Sequence, residues 1–119
     1  MSQLRVEKVQ EFIKQEVGKM LVTGEIKDPR IGFVTVTHVE VTGDLSTATI
    51  YISLYGSDDQ KAATWTGLQS ALGFMRSEIS KRIRLRVAPE LVLRLDESLN
   101  YSARIQELLQ QIKEEEKKS

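Results

Sequence analysis

Near the start of the chain the apolar positions recur every three or four residues, at Val6, Val9, Ile13, Val17 and Met20. That spacing gathers all five on one stripe of a helix, which is predicted to end near Thr23-Gly24. Pro29 then disfavours helical geometry at Asp28, and Gly32 frees the chain to turn, so residues 25–32 read as a linker. Beyond it the run from Phe33 to Val41 is rich in β-branched residues. A second such run, Ser46 to Leu54, follows the tight connection Thr42-Gly43-Asp44-Leu45, and the two make a hairpin. In the second strand Ala48, Ile50, Ile52 and Leu54 alternate with Thr47, Thr49, Tyr51 and Ser53, so one face is buried and the other carries hydroxyls. The valines of the first strand change parity between Val36 and Val39, which calls for a bulge near His38 or for cover on both faces.

The helical period returns after a loop at Tyr55-Gly56-Ser57-Asp58-Asp59 that ends in a helix cap. Ala62, Trp65, Leu68, Leu72, Met75, Ile79 and Ile83 form the stripe. Gly73 interrupts it. A glycine inside a helix costs roughly 1 kcal/mol relative to alanine, so Ala71-Leu72-Gly73 points to a kink, to a close approach by another backbone, or to tight helix packing. Pro89 closes an irregular stretch, residues 91–95 read as a third strand, and Ser98 can cap a last helix with Tyr101, Ile105, Leu108 and Ile112 on one side. The order helix, strand, strand, helix-kink-helix, strand, helix fits an α+β domain with helices on one face of a small mixed sheet. At 119 residues the chain suits one core, expected over residues 1–113, with a frayed tail at 114–119.

Composition narrows the chemistry. Apolar residues make up 40% and charged residues 29%, and no apolar run approaches a membrane span, so a soluble globular chain without a membrane partner is expected. There is no cysteine, and the first ten residues lack a secretory pattern, which makes the cytoplasm the expected location. With one histidine and no phosphate-cradling glycine loop, no catalytic set converges, and no enzyme activity, cofactor or metal site is expected. His38 reads as structural or exposed, while Asp58-Asp59 and Glu114-Glu115-Glu116 lack the spacing of a metal site.

The net charge is zero, but its distribution is uneven: residues 1–36, 37–71, 72–95 and 96–119 carry +1, −3, +4 and −2. On a helical wheel Lys81 points away from the apolar stripe, with Arg76, Arg82 and Arg84 on its flanks, and Arg86 follows where the chain leaves the helix. Several guanidinium groups at that exit can engage successive phosphates. Arg5 and Lys8 of the first helix extend the patch unless they pair with Glu7 and Glu11. The bland reading is a solvated helix face.

Four motifs then coincide in order: Asp28-Pro29-Arg30-Ile31-Gly32, the hairpin from Val39 to Ala48, Ala71-Leu72-Gly73-Phe74-Met75-Arg76, and Arg84 to Leu91 followed by Asp96-Glu97-Ser98. Together, over nearly the whole chain, they resemble the ribosome-binding factor A family. The resemblance implies a type II KH-like domain in which an interrupted helix, with Ala71 and Gly73 at the kink, replaces the usual GxxG loop. It also implies a non-catalytic assembly factor that binds the free small (30S) ribosomal subunit. Such a factor assists late rRNA maturation, including processing of the precursor 5′ end, and supports growth in the cold. The expected partners are that subunit and its rRNA, and the chain itself is expected to be a monomer. A KH-like module for single-stranded RNA and a protein-interaction adaptor using the sheet face that bears Tyr51 are the alternatives.

Overall fold

The computed structural model describes residues 3–96 and residue 112. Helix α1 spans Gln3–Thr23 and buries Val6, Val9, Ile13, Val17 and Met20, the stripe its sequence spacing predicts. It stops where Gly24 takes a φ of 76°, a left-handed conformation that glycine adopts without a Cβ clash. Strands β1 (Val34–Val41) and β2 (Thr47–Leu54) pair antiparallel, and β3 (Glu90–Leu95) pairs parallel to β2, giving the order β1-β2-β3. A parallel neighbour needs a long crossover, and α2 (Asp58–Arg82) supplies it.

The parity change in β1 is a bulge. Val36 pairs with Ile52 while His38 pairs with Tyr51, which leaves Thr37 as the extra residue. All four valines therefore sit opposite the core-facing residues of β2: Val34 on Leu54, Val36 on Ile52, Val39 on Ile50 and Val41 on Ala48. The Thr37 hydroxyl donates to the Tyr51 carbonyl at 3.2 Å, closing the bulge. Ile13, Met20, Ile50, Ile52, Leu68, Met75 and Ile79 are fully buried between the helices and one face of the sheet.

Ser57 caps α2 with a reciprocal box: its hydroxyl accepts from the Gln60 N–H at 3.2 Å and the Gln60 side-chain oxygen accepts from the Ser57 N–H at 2.8 Å. The stripe of α2 differs from the predicted one in its first turns. Ala62 is exposed, whereas Thr64 and Gly67 are buried. The cause is the 28–32 loop, which packs there: a Cβ on Gly67 would lie 2.8 Å from Ile31 Cγ1 and 3.3 Å from Arg30 Cβ. A close approach of the kind weighed for Gly73 is found instead at Gly67, from side-chain rather than backbone atoms.

Gly73 itself lies within one unbroken 25-residue helix, exposed, with nothing among the described residues within 4 Å of where its Cβ would stand. The expected division into two helices at Ala71 and Gly73 is corrected accordingly. Ala71 is buried in the core, and the helix continues through the glycine, against which no described residue packs. The helix expected from Ser98, with Tyr101, Ile105 and Leu108, lies outside the described residues, as does the tail.

Candidate nucleic-acid interface

Three cations from three parts of the chain converge beside the hairpin turn. Arg5 comes from the first turn of α1, Arg76 from α2 and Arg86 from the stretch between α2 and β3; with Leu45 and Ser46 they line a cavity of about 360 Å³. Asp44 and Glu90 also stand on its wall. Arg76 is oriented by its own exit segment: one Nη2 hydrogen bond reaches the Ala88 carbonyl at 3.2 Å, and most of its donors have no partner among the described residues. Arg84 and Arg86 are exposed and have no ion-pair or hydrogen-bond partner among the described residues.

The turn facing these arginines is rigid. Leu45 adopts a φ of 62°, unusual for a non-glycine residue, and is nonetheless buried. What holds it there is a ring of hydrogen bonds: Leu45 N–H to the Thr42 carbonyl at 2.8 Å, and Asp44 Oδ1 accepting from the Thr42 hydroxyl at 2.8 Å, the Ser46 hydroxyl at 2.7 Å and the Ser46 N–H at 3.1 Å. The hydrogen bonds from Ser46 and then Thr42 hold the Asp44 carboxyl below its usual range. Its charge is thereby partly satisfied within the turn, which lessens its repulsion of an anion near Arg76. The Ser46 carbonyl accepts from the Glu90 N–H at 2.9 Å and ties the turn to β3.

The other expected contacts separate by geometry. Lys81 is exposed and pairs with Glu78 at 3.7 Å. Lys8 is exposed on α1 and forms no ion pair among the described residues, so Lys8 itself does not take up the alternative pairing. Arg82 has another task. Its guanidinium meets Glu16 of α1 at 2.9 Å, Glu25 of the linker at 2.8 Å and Glu78 of its own helix at 3.4 Å. Its pKa is raised, first by the Glu25 hydrogen bond and then by Glu16. Three carboxylates around one guanidinium leave no net positive charge there to offer a phosphate, so Arg82 is engaged within the fold. Sequence position on the flank of the stripe could not reveal this, because two of its partners lie far away in the chain.

On the open face of the sheet Tyr51 stacks on His38, with ring centroids 4.1 Å apart and planes 8° from parallel. Its hydroxyl donates to Glu40 at 3.3 Å. Among the described residues no group of three His, Cys, Asp or Glu could hold a metal ion, and no helix is long and apolar enough to cross a membrane. The contribution of Leu45 and Ser46 went unread in the sequence, where Thr42-Gly43-Asp44-Leu45-Ser46 signals only a turn.

Comparison with known proteins is consistent along nearly the whole chain. A family model described as Ribosome-binding factor A matches residues 5–109. The ribosome-binding factor A of Desulforamulus reducens is 54% identical over 114 residues, covering 96% of this chain and 94% of that protein. The crystal structure of ribosome-binding factor A from Thermus thermophilus aligns with a TM-score of 0.64 at 20% identity, over 76% of this chain and 94% of that one. Coordinates of the Thermus thermophilus factor fitted into a cryo-EM map of a 30S–RbfA complex align with a TM-score of 0.60 at 19% identity, over 74% of this chain and 91% of that one.

Proposed function

Because this chain belongs to the ribosome-binding factor A family, we propose that it binds the free small ribosomal subunit and assists late maturation of its rRNA without catalysing a reaction. The observation that carries this reading is the full-length relationship, 54% identity over 96% of the chain, to a protein named for ribosome binding. A Thermus thermophilus relative fitted into a map of a 30S complex points to the small subunit as the partner. Processing of the precursor 5′ end and support of growth in the cold follow from the same family reading, as do a cytoplasmic location and a monomeric state.

The arginine cluster suggests how the binding works. Arg76 on α2, extended by Arg5 and Lys8 on α1, presents cations from helices, and Arg84 and Arg86 present them from the stretch between α2 and β3, so the helical cations need little ordering on contact. Phosphate contacts of this kind position a protein on RNA without reading sequence. Binding one arrangement of the rRNA more tightly than its competitors shifts the population toward it. Nuclease steps belong to other proteins in this mechanism.

Cosedimentation with purified small subunits over a salt series tests it. Replacing Arg76, Arg84 and Arg86 by Gln is expected to weaken binding and to flatten the log–log salt slope by roughly 0.7–0.9 for each phosphate no longer neutralised. Binding and slope equal to those of the wild type would remove the cluster from the interface.

A further inference from the structure

Phe33, just ahead of β1, leaves 69% of its surface exposed. The loop beneath it is fixed at three places. Asp28 accepts two hydrogen bonds from the Arg30 guanidinium, at 2.6 and 3.0 Å, and one from the Arg30 N–H at 2.9 Å. The buried Thr64 hydroxyl of α2 accepts from the Gly32 N–H at 2.9 Å and donates to the Arg30 carbonyl at 3.4 Å. Ile31 lies against Gly67, where no side chain intervenes.

The exposed ring meets Tyr55 edge-on, with centroids 5.1 Å apart and planes at 63°, and Tyr55 is itself 42% exposed. Between the loop, this pair and the start of α2 lies a cleft of about 430 Å³, whose wall includes Phe33, Tyr55, Pro29, Arg30, Gly56 and Gln60. Among the described residues its lining holds one guanidinium and no carboxylate. Asp28 engages Arg30 through Nε and Nη2, which leaves the Nη1 donors without a partner among the described residues. The Gln60 oxygen is spent on the helix cap, but its amide N–H groups have no partner among the described residues. A rigid aromatic pair with planar N–H donors at its rim suits a flat heteroaromatic ring that carries acceptors on its edge. An apolar protein side chain would cover the rings but leave the Arg30 and Gln60 donors unanswered. Base–aromatic stacking tolerates any sequence because every base has a π-face.

We propose that this cleft is a stacking site for an unpaired nucleobase of RNA, held against Phe33 and Tyr55 with Arg30 and Gln60 at its edge. The inference rests on the RNA-binding reading above, but the cleft shares no lining residue with the cavity at Arg5, Arg76 and Arg86. It lies at the opposite end of the β1–β2 hairpin from the arginine cluster and would add a base contact to the proposed phosphate contacts.

The test uses the full chain and a short unstructured RNA carrying one 2-aminopurine, whose fluorescence falls when it stacks. The wild type is expected to quench it saturably. Phe33→Ala should lose about tenfold or more in affinity, in keeping with the strength of base–aromatic stacking. Phe33→Leu should lose as much, since it keeps apolar bulk without a π-face, while Phe33→Trp should retain the quench. An Arg76→Gln, Arg86→Gln double variant should keep the quench at low salt and lose only salt dependence. No quench by the wild type with millimolar RNA, equal quench by Phe33→Ala, or wild-type behaviour of Phe33→Leu would each overturn the proposal. Cosedimentation of the wild type with small subunits, run in parallel, separates the two readings: its failure sinks the ribosomal function, whereas the quench decides the cleft.

Discussion

A single carboxyl shows how residue chemistry fixes the loop before β1. The Asp28 carboxyl is held down at about 2, against 3.8 for an ordinary aspartate, first by the side-chain hydrogen bonds from Arg30 and then by the Arg30 backbone N–H. A carboxyl depressed in the folded state contributes stability that is fully present above the unfolded pKa and is lost as pH falls through the folded one. The clasp is therefore intact near neutrality and opens only between 3.8 and about 2. Following the Asp28 carboxyl-carbon chemical shift should show a midpoint near the lower value, and Arg30→Gln should move it up toward 3.8. A midpoint at 3.8 in the wild type would mean that the clasp does not form in solution. Asp28 and Pro29 mark a turn in the sequence, but the bidentate geometry of the pair is visible only in the folded loop.

At the scale of the element, α2 carries two glycines with opposite roles. Gly67 is buried where Ile31 and Arg30 cross the helix, and an alanine methyl there would stand 2.8 Å from Ile31 Cγ1. Overpacking of that kind typically costs about 1–3 kcal/mol, more than the helix propensity gained. Gly73 is exposed with open space around it among the described residues, so alanine there should stabilise the helix by roughly 0.5–1 kcal/mol. Urea unfolding of Gly67→Ala and Gly73→Ala should move the midpoints in opposite directions. Two midpoints moving together would contradict the packing at Gly67 or the freedom at Gly73. The same helix shows where periodicity stops being informative. Leu68, Met75 and Ile79 were legible as core, but the burial of Thr64 was not, because a hydroxyl is buried only when a distant backbone supplies its partners.

For the whole molecule, the zero net charge conceals a division of labour among its arginines. Arg82 joins α1, the linker and α2 through Glu16, Glu25 and Glu78, with its side chain only 27% exposed. Arg84 and Arg86, two and four residues on, face solvent. Arg82→Met is thus expected to lower Tm because it leaves three carboxylates crowded together, while the salt slope of small-subunit binding stays at the wild-type value. A flattened slope without a change in Tm would return Arg82 to the interface and contradict the hub.

The sequence by itself determined most of the described elements: the α1 stripe, the hairpin, the capped start of α2 and the third strand follow from local periods and turn chemistry, while the parity change in β1 narrowed to a bulge only in the structure. Side-chain direction repeats with the backbone, so a pattern of two or 3.6 residues can be read without the fold. It also located the basic segment, since that is a count along the chain. Only the tertiary structure decided where each arginine sits and what stands beside it. Arg5, Arg76 and Arg86 share one cavity, Arg82 is enclosed by carboxylates from three elements, and Phe33 and Tyr55 meet across a cleft under which Gly67 makes room for the loop. These are contacts between residues far apart in sequence. Their energy depends on distances that no local pattern encodes, and a charge becomes a binding group or a structural one according to what the fold brings beside it.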